Sequence, residues 1–291
     1  MKTKYILSAY LISAITLGLG LAVWRLILIL RFYDPYLAEF AHSASGYLDT
    51  IGYVTFGILL IMASAFLILR KKTIASFEAT ASQTAVFTSS FTGFLFFAIA
   101  ILLLIYYKEI IFAKTAHVFF RGLQIISLFL MFPAAGYFLL NSSAEPNGSK
   151  AKRAISFFPT LWALFYLITS YANPDYNYSD PNRLFCNVSI IALLLFFLFE
   201  TRKNVSKPLS TVQFVFGLFA VVSILVYILP TALLTLFWEI ELTVPTIFEL
   251  IGIGAVFYII SMMTLMIKNV ENKAEPSAPA KETTTEKSAL F

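Results

Sequence analysis

The chain has 291 residues, of which 59% are hydrophobic and 13% charged, with a formal net charge of +5. A soluble domain is about half apolar and about a quarter charged, so this composition, with a mean hydropathy of +0.82, excludes an ordinary water-soluble fold. The basic balance suits a membrane protein, whose cytoplasmic loops collect Lys and Arg, better than a nucleic-acid binder. The single cysteine, Cys186, excludes an internal disulfide and a Cys-based zinc site.

The N-terminal stretch MKTKYILSAYLISAITLGLGLA has the basic start and apolar middle of a secretory leader. The apolar run continues through VWRLILIL, so the expectation is an uncleaved first span. Runs of about twenty apolar residues are long enough to cross a bilayer as helices. They predict eight spans, at 6–32, 51–69, 85–107, 117–141, 154–172, 184–199, 209–230 and 244–267. The sixth is short and sits between Arg183 and Glu200, which read as its flanks. TALLTLFWEIEL (231–242) is too short and acidic for a span and reads as an interfacial segment. The last residues, 269–291, mix Ala, Pro, Thr, Lys and Glu with little to bury and read as a disordered cytoplasmic tail. The fold class expected is therefore an all-α, polytopic integral membrane protein: a bundle over 1–268 and a tail over 269–291. Its short loops leave no space for a soluble catalytic domain.

Basic residues orient the bundle. With the N-terminus cytoplasmic, Lys2, Lys4, Arg70, Lys71, Lys72, Lys150, Lys152, Arg153, Arg202, Lys203, Lys207, Lys268, Lys273, Lys281 and Lys287 share one side. Only Arg31, Lys108, Lys114 and Arg183 fall on the other. The positive-inside rule then places both termini in the cytoplasm of a plasma membrane of bacterial type, which requires an even number of spans. RKK (70–72) and TRK (201–203) follow the second and sixth spans, a spacing compatible with a four-plus-four repeat.

Charges inside spans are expensive and functional by default. Arg25, Arg121 and Glu249 each lie roughly 8–11 Å below the outer end of a predicted helix at 1.5 Å per residue. Ala14, Gly18 and Ala22 repeat every four residues and let another helix approach closely; Arg25 continues that seam. His117, Arg121 and Gln124 make a polar stripe at i, i+4 and i+7, and Pro245, Glu249 and Gly252 make a comparable non-bulky face. The structural reading is that Arg121 and Glu249 clamp two helices together while Arg25 reaches carbonyls or lipid phosphate. The functional reading is a pocket in the outer leaflet. Guanidinium groups bind carboxylate or phosphate in a bidentate way, and Gln124, His117, Asn187 and Tyr53 are further ligand-binding candidates.

The outer loops are rich in Tyr and carboxylates, as an aromatic belt would be, and SYANPDYNYSDPNR (170–183) is a candidate recognition loop. No helical HExxH, Walker-A loop or GxSxG elbow occurs, so no metal, cofactor or catalytic residue is expected, and an intramembrane enzyme ranks third. The leading expectation is a permease-like or solute-binding protein for a small anionic solute or lipid headgroup. The alternative is a non-transporting membrane subunit or sensor that binds a protein partner or lipid. Neither involves nucleic acid.

Overall fold

The computed structural model describes residues 2–34, 39–40, 45–69, 72–74, 80, 82–112, 118–143, 149–172, 181–205, 209–238 and 246–272. His117, residues 173–180 of the tyrosine-rich loop, residues 239–245 and the tail beyond 272 lie outside them. The described chain is helical apart from two short ladders. Its helices are α1 (Lys2–Phe32), α2 (Ser45–Ala63), α3 (Ala65–Leu69), α4 (Gln83–Phe112), α5 (Val118–Ser142), α6 (Lys150–Ile155), α7 (Phe158–Ala172), α8 (Pro181–Val205), α9 (Ser210–Trp238) and α10 (Thr246–Lys268). Among the described residues, eight stretches are long and apolar enough to cross a membrane, with α2–α3 and α6–α7 each making one broken span.

Both breaks have local causes. Between α2 and α3, the Ser64 hydroxyl bonds back to the Ile61 carbonyl at 2.6 Å and lies 2.6 Å from the Tyr10 hydroxyl of α1. Between α6 and α7, Pro159 cannot donate to the Ile155 carbonyl. The next carbonyl, of Ser156, accepts from the Thr201 hydroxyl of α8 at 2.6 Å.

Two strand pairs mark the ends of the bundle. Tyr33–Asp34 (β1) pairs antiparallel with Glu39–Phe40 (β2) after α1, at what we term the hairpin end. Lys72–Ile74 (β3) pairs antiparallel with Val270–Asn272 (β4) at the opposite, basic end. There Lys4 of α1 donates to the Lys268 carbonyl at the close of α10.

Six helices close a ring. Helix α4 packs on α5, α5 on α7, α7 on α8, α8 on α9, α9 on α10, and α10 back on α4. Short side chains staple the seams. Thr88 of α4 meets Ser261 of α10 at 2.6 Å, and Thr92 donates to the Gly254 carbonyl at 3.0 Å. Ser89 donates to the Phe138 carbonyl of α5 at 2.7 Å, and Thr160 of α7 meets Thr201 at 3.1 Å. The middle of the ring is filled by aromatic rings. Phe96 stands edge-on to Trp162 at 4.7 Å, and Phe138 contacts Phe96, Tyr258 and Phe197 at 5.4, 5.1 and 5.6 Å.

Helix α1 lies outside this ring against α9, with α2 beside both. The predicted small-residue seam is the face it uses, since a Cβ on Gly18 would stand 3.2 Å from Leu225 Cβ. Helices α9 and α10 are central: 72% of the apolar window of each is buried, against 22% for the span holding α7.

Among the boundaries that differ from expectation, two bear on the buried polar groups. The sixth span does not end at Phe199, because α8 runs to Val205 and carries Glu200, Thr201 and Asn204 into the buried face. The seventh does not stop at Pro230, because α9 continues to Trp238 with Ala232 and Leu234 buried. A four-plus-four repeat is not visible in the packing, since α8 and α9 share one of the largest interfaces while α2 makes no extended contact with α4.

Candidate functional site: two polar layers in a helix ring

Arg25 has the environment of a structural group. Pro230 has no N–H, so the Val226 carbonyl loses its helical partner. The Arg25 guanidinium, 1% exposed, donates to Tyr227 O at 2.8 Å and to Val226 O at 3.4 Å. It also stands 4.9 Å from the Tyr227 ring centroid and 5.8 Å from that of Phe185, two rings stacked at 4.2 Å. Such cation–π contacts gain strength when desolvated. A carbonyl freed by proline inside an apolar helix needs a donor, and Arg25 of α1 supplies it.

Of the other predicted site residues, Arg121, Gln124 and Asn187 lie towards the hairpin end, on α5 and α8. Arg121 is half-buried on α5. Gln124, also half-buried, lies seven and fourteen residues before Met131 and Phe138, so it shares the face that carries the aromatic plug. Asn187 of α8, 2% exposed, accepts from the Ser170 hydroxyl of α7 at 2.8 Å, and Ser127 of α5 meets Thr169 of α7 at 3.3 Å. Glu249 lies in the first turn of α10, and its side chain lies outside the description, as does His117. The structure does not bring Arg25 and Arg121 onto helices that pack extensively together: α1 rests on α9, whereas α5 lies between α4 and α7.

The denser cluster lies at the other end and was not anticipated. Glu200 of α8 is 1% exposed. Its Oε1 accepts from the Tyr258 hydroxyl of α10, and the Tyr258 oxygen accepts from Asn141 Nδ2 of α5 at 2.8 Å. Asn204 of α8 directs its Nδ2 to the Tyr137 hydroxyl of α5 at 3.4 Å and to the Glu200 carbonyl at 3.5 Å. Three ring helices thus converge on one carboxyl group. The positive charges of Lys203 on α8 and of the buried Lys152 on α6 act on it electrostatically. Glu200 Oε2, Asn204 Oδ1 and Gln213 Nε2 are all buried without a hydrogen-bond partner.

This layer had a faint sequence signal. Tyr137 and Asn141, and Glu200 and Asn204, are each spaced i, i+4 on one helical face. Reading Glu200 as a flank of a short span concealed it. The chain matches no known family model, and neither its sequence nor its fold finds a counterpart among curated proteins or solved structures.

Proposed function

We propose that the chain is a permease-like carrier for a small anionic solute, inserted in a plasma membrane with both termini cytoplasmic. The solute's route runs along the inside of the six-helix ring. One observation carries this reading: buried polar side chains lie on either side of the aromatic plug, Ser127 and Asn187 towards the hairpin end and Asn141, Glu200 and Asn204 towards the basic end. A bundle selected for stability alone would fill both ends with aliphatic groups, since buried polar networks gain little over apolar packing. Polar layers on either side of an apolar plug suit a carrier in an occluded state, which opens towards one side at a time.

Arg25 serves the α9 carbonyls; in this reading Arg121 recognises the anion, with Gln124 and Asn187 as neutral donors at the hairpin end. A guanidinium there recognises carboxylate or phosphate oxygens. The orientation follows from the basic residues at the opposite end, where β3, β4 and Lys4 gather.

Single cysteines placed on a Cys186→Ser background test the route in sealed vesicles with a membrane-impermeant maleimide. A carrier predicts that Gln124→Cys reacts from the hairpin side and Asn141→Cys from the basic side. A matching small carboxylate or phosphate is expected to slow the reaction at Gln124→Cys, and adding Arg121→Gln should remove that protection. Absence of reaction at both positions from both sides would sink the carrier reading in favour of a static membrane subunit.

A further inference from the structure

A fully buried carboxylate that engages only one of its oxygens is costly in an apolar bundle unless something positive or hydrogen-donating meets the other. Glu200 has this arrangement. Oε1 is held by Tyr258 and the Tyr137 hydroxyl also acts on the carboxyl group, while Oε2 is buried with no hydrogen-bond partner of its own. No ion pair reaches the carboxylate among the described residues, although Lys152 and Lys203 act on it at longer range. One turn further along the same face of α8, Asn204 Oδ1 is likewise buried and unengaged. The orientation of that amide has a physical basis. A backbone carbonyl only accepts, so the end of Asn204 that faces the Glu200 carbonyl at 3.5 Å is the nitrogen. Its oxygen is left on the other side. With Glu200 ionised the two unengaged atoms are both acceptors, and neither can satisfy the other.

We propose that Glu200 Oε2 and Asn204 Oδ1 form the protein half of a binding site for a small monovalent cation, either a sodium ion or a hydronium ion. The charge count favours a single positive charge. One carboxylate already under the positive charges of Lys152 and Lys203 has room for at most one more, and no group of three His, Cys, Asp or Glu side chains gathers among the described residues, as a divalent oxygen-ligand site would need. The surrounding groups are arranged to hold the carboxylate still. Tyr258 from α10 fixes Oε1 and Asn141 from α5 fixes Tyr258, while Tyr137 from α5 holds the Asn204 nitrogen. An ion there draws α5, α8 and α10 together at the basic end. Coupling that grip to solute movement rests on the carrier reading above; the binding site itself does not.

The test uses the full chain in lipid nanodiscs. Radioactive sodium binding is measured at fixed pH against choline, and proton uptake is followed with a pH indicator in sodium-free buffer. Saturable sodium binding that is lost in Glu200→Gln identifies the sodium form of the site. A protonation step present in the wild type, missing in Glu200→Gln and displaced in Asn204→Ala, without sodium binding, identifies the hydronium form. Tyr258→Phe, which removes only the group orienting Oε1, is expected to weaken sodium affinity roughly ten- to a hundred-fold. Asn204→Ala keeps the Glu200–Tyr258 bond and carries the test if Glu200→Gln does not fold. Unchanged sodium and proton behaviour in folded Asn204→Ala overturns the proposal, as does a wild type that binds no sodium and titrates like Glu200→Gln. Cysteine reactivity that follows the carrier pattern while both cation signals are absent removes this site alone. The reverse result removes the carrier and leaves the site.

Discussion

Arg25 and Glu200 are both fully buried, yet opposite arguments explain them. Arg25 meets a need created elsewhere in the chain: Pro230 leaves a carbonyl without its N–H, and the guanidinium takes up that carbonyl and the next. Its contribution is testable. Arg25→Met is expected to destabilise the protein by about 2 kcal/mol, the range for a hydrogen bond to a charged group, seen as a lower thermal midpoint in detergent. Arg25→Lys should recover only part of the loss, because an ammonium is more strongly hydrated and lacks the planar face that lies against the Tyr227 ring. Adding Pro230→Ala to Arg25→Met restores the N–H that Val226 requires, so the double variant should be more stable than the sum of the two changes. Additive effects would mean that the proline and the arginine are not coupled. Glu200 answers no such backbone need. Its network leaves acceptors unsatisfied rather than satisfying them, which is the reason to read it as a site.

At the scale of elements, close approach decides the seams. A Cβ on Gly93 of α4 would stand 3.1 Å from the Ala135 carbonyl oxygen and 3.0 Å from Leu139 Cγ on α5. Backbone cannot rotate away as a side-chain tip does. Gly93→Val is therefore expected to push α4 from α5 and cost about 1–3 kcal/mol, the usual penalty of overpacking. Gly20→Val on α1, where nothing lies within 4 Å of the new Cβ, should stay within about 0.5 kcal/mol of the parent. Thermal unfolding of the two side by side checks the contrast. Equal losses would mean that helix propensity, not packing, sets the penalty. The same scale explains why the sixth and seventh spans run past their expected ends. Hydropathy ends a span at its first charged or helix-breaking residue, so Glu200 and Pro230 read as termini. In the fold, α5 and α10 surround Glu200 with hydroxyls and amides, and α1 brings a donor to the proline, so both helices continue.

For the whole molecule, the ring and its two polar layers lead to a prediction about sides. If both ends of the chain lie in the cytoplasm, tags fused before Lys2 and after Phe291 should be reached by protease only in inside-out vesicles. A cysteine at Gly46, next to the hairpin end, should be labelled only in right-side-out ones. Any other combination would reverse the assignment of hairpin and basic ends to the outer and inner faces. It would leave the ring itself untouched.

The number of long apolar helices and their rough limits were legible in the chain, because apolar length is a one-dimensional property that each segment carries by itself. The small-residue seam on α1 was legible for the same reason, since spacing along a helix determines its face. The neighbours of each helix were not. Arg25, Arg121 and Glu249 share a depth in a sequence diagram, yet α1 and α5 do not pack extensively together, and depth alone cannot tell whether two helices touch. The Glu200 cluster was beyond reach for a related reason. It is made by single residues of α5, α8 and α10 far apart in the chain, and each looks unremarkable until helix packing removes water from around all of them together.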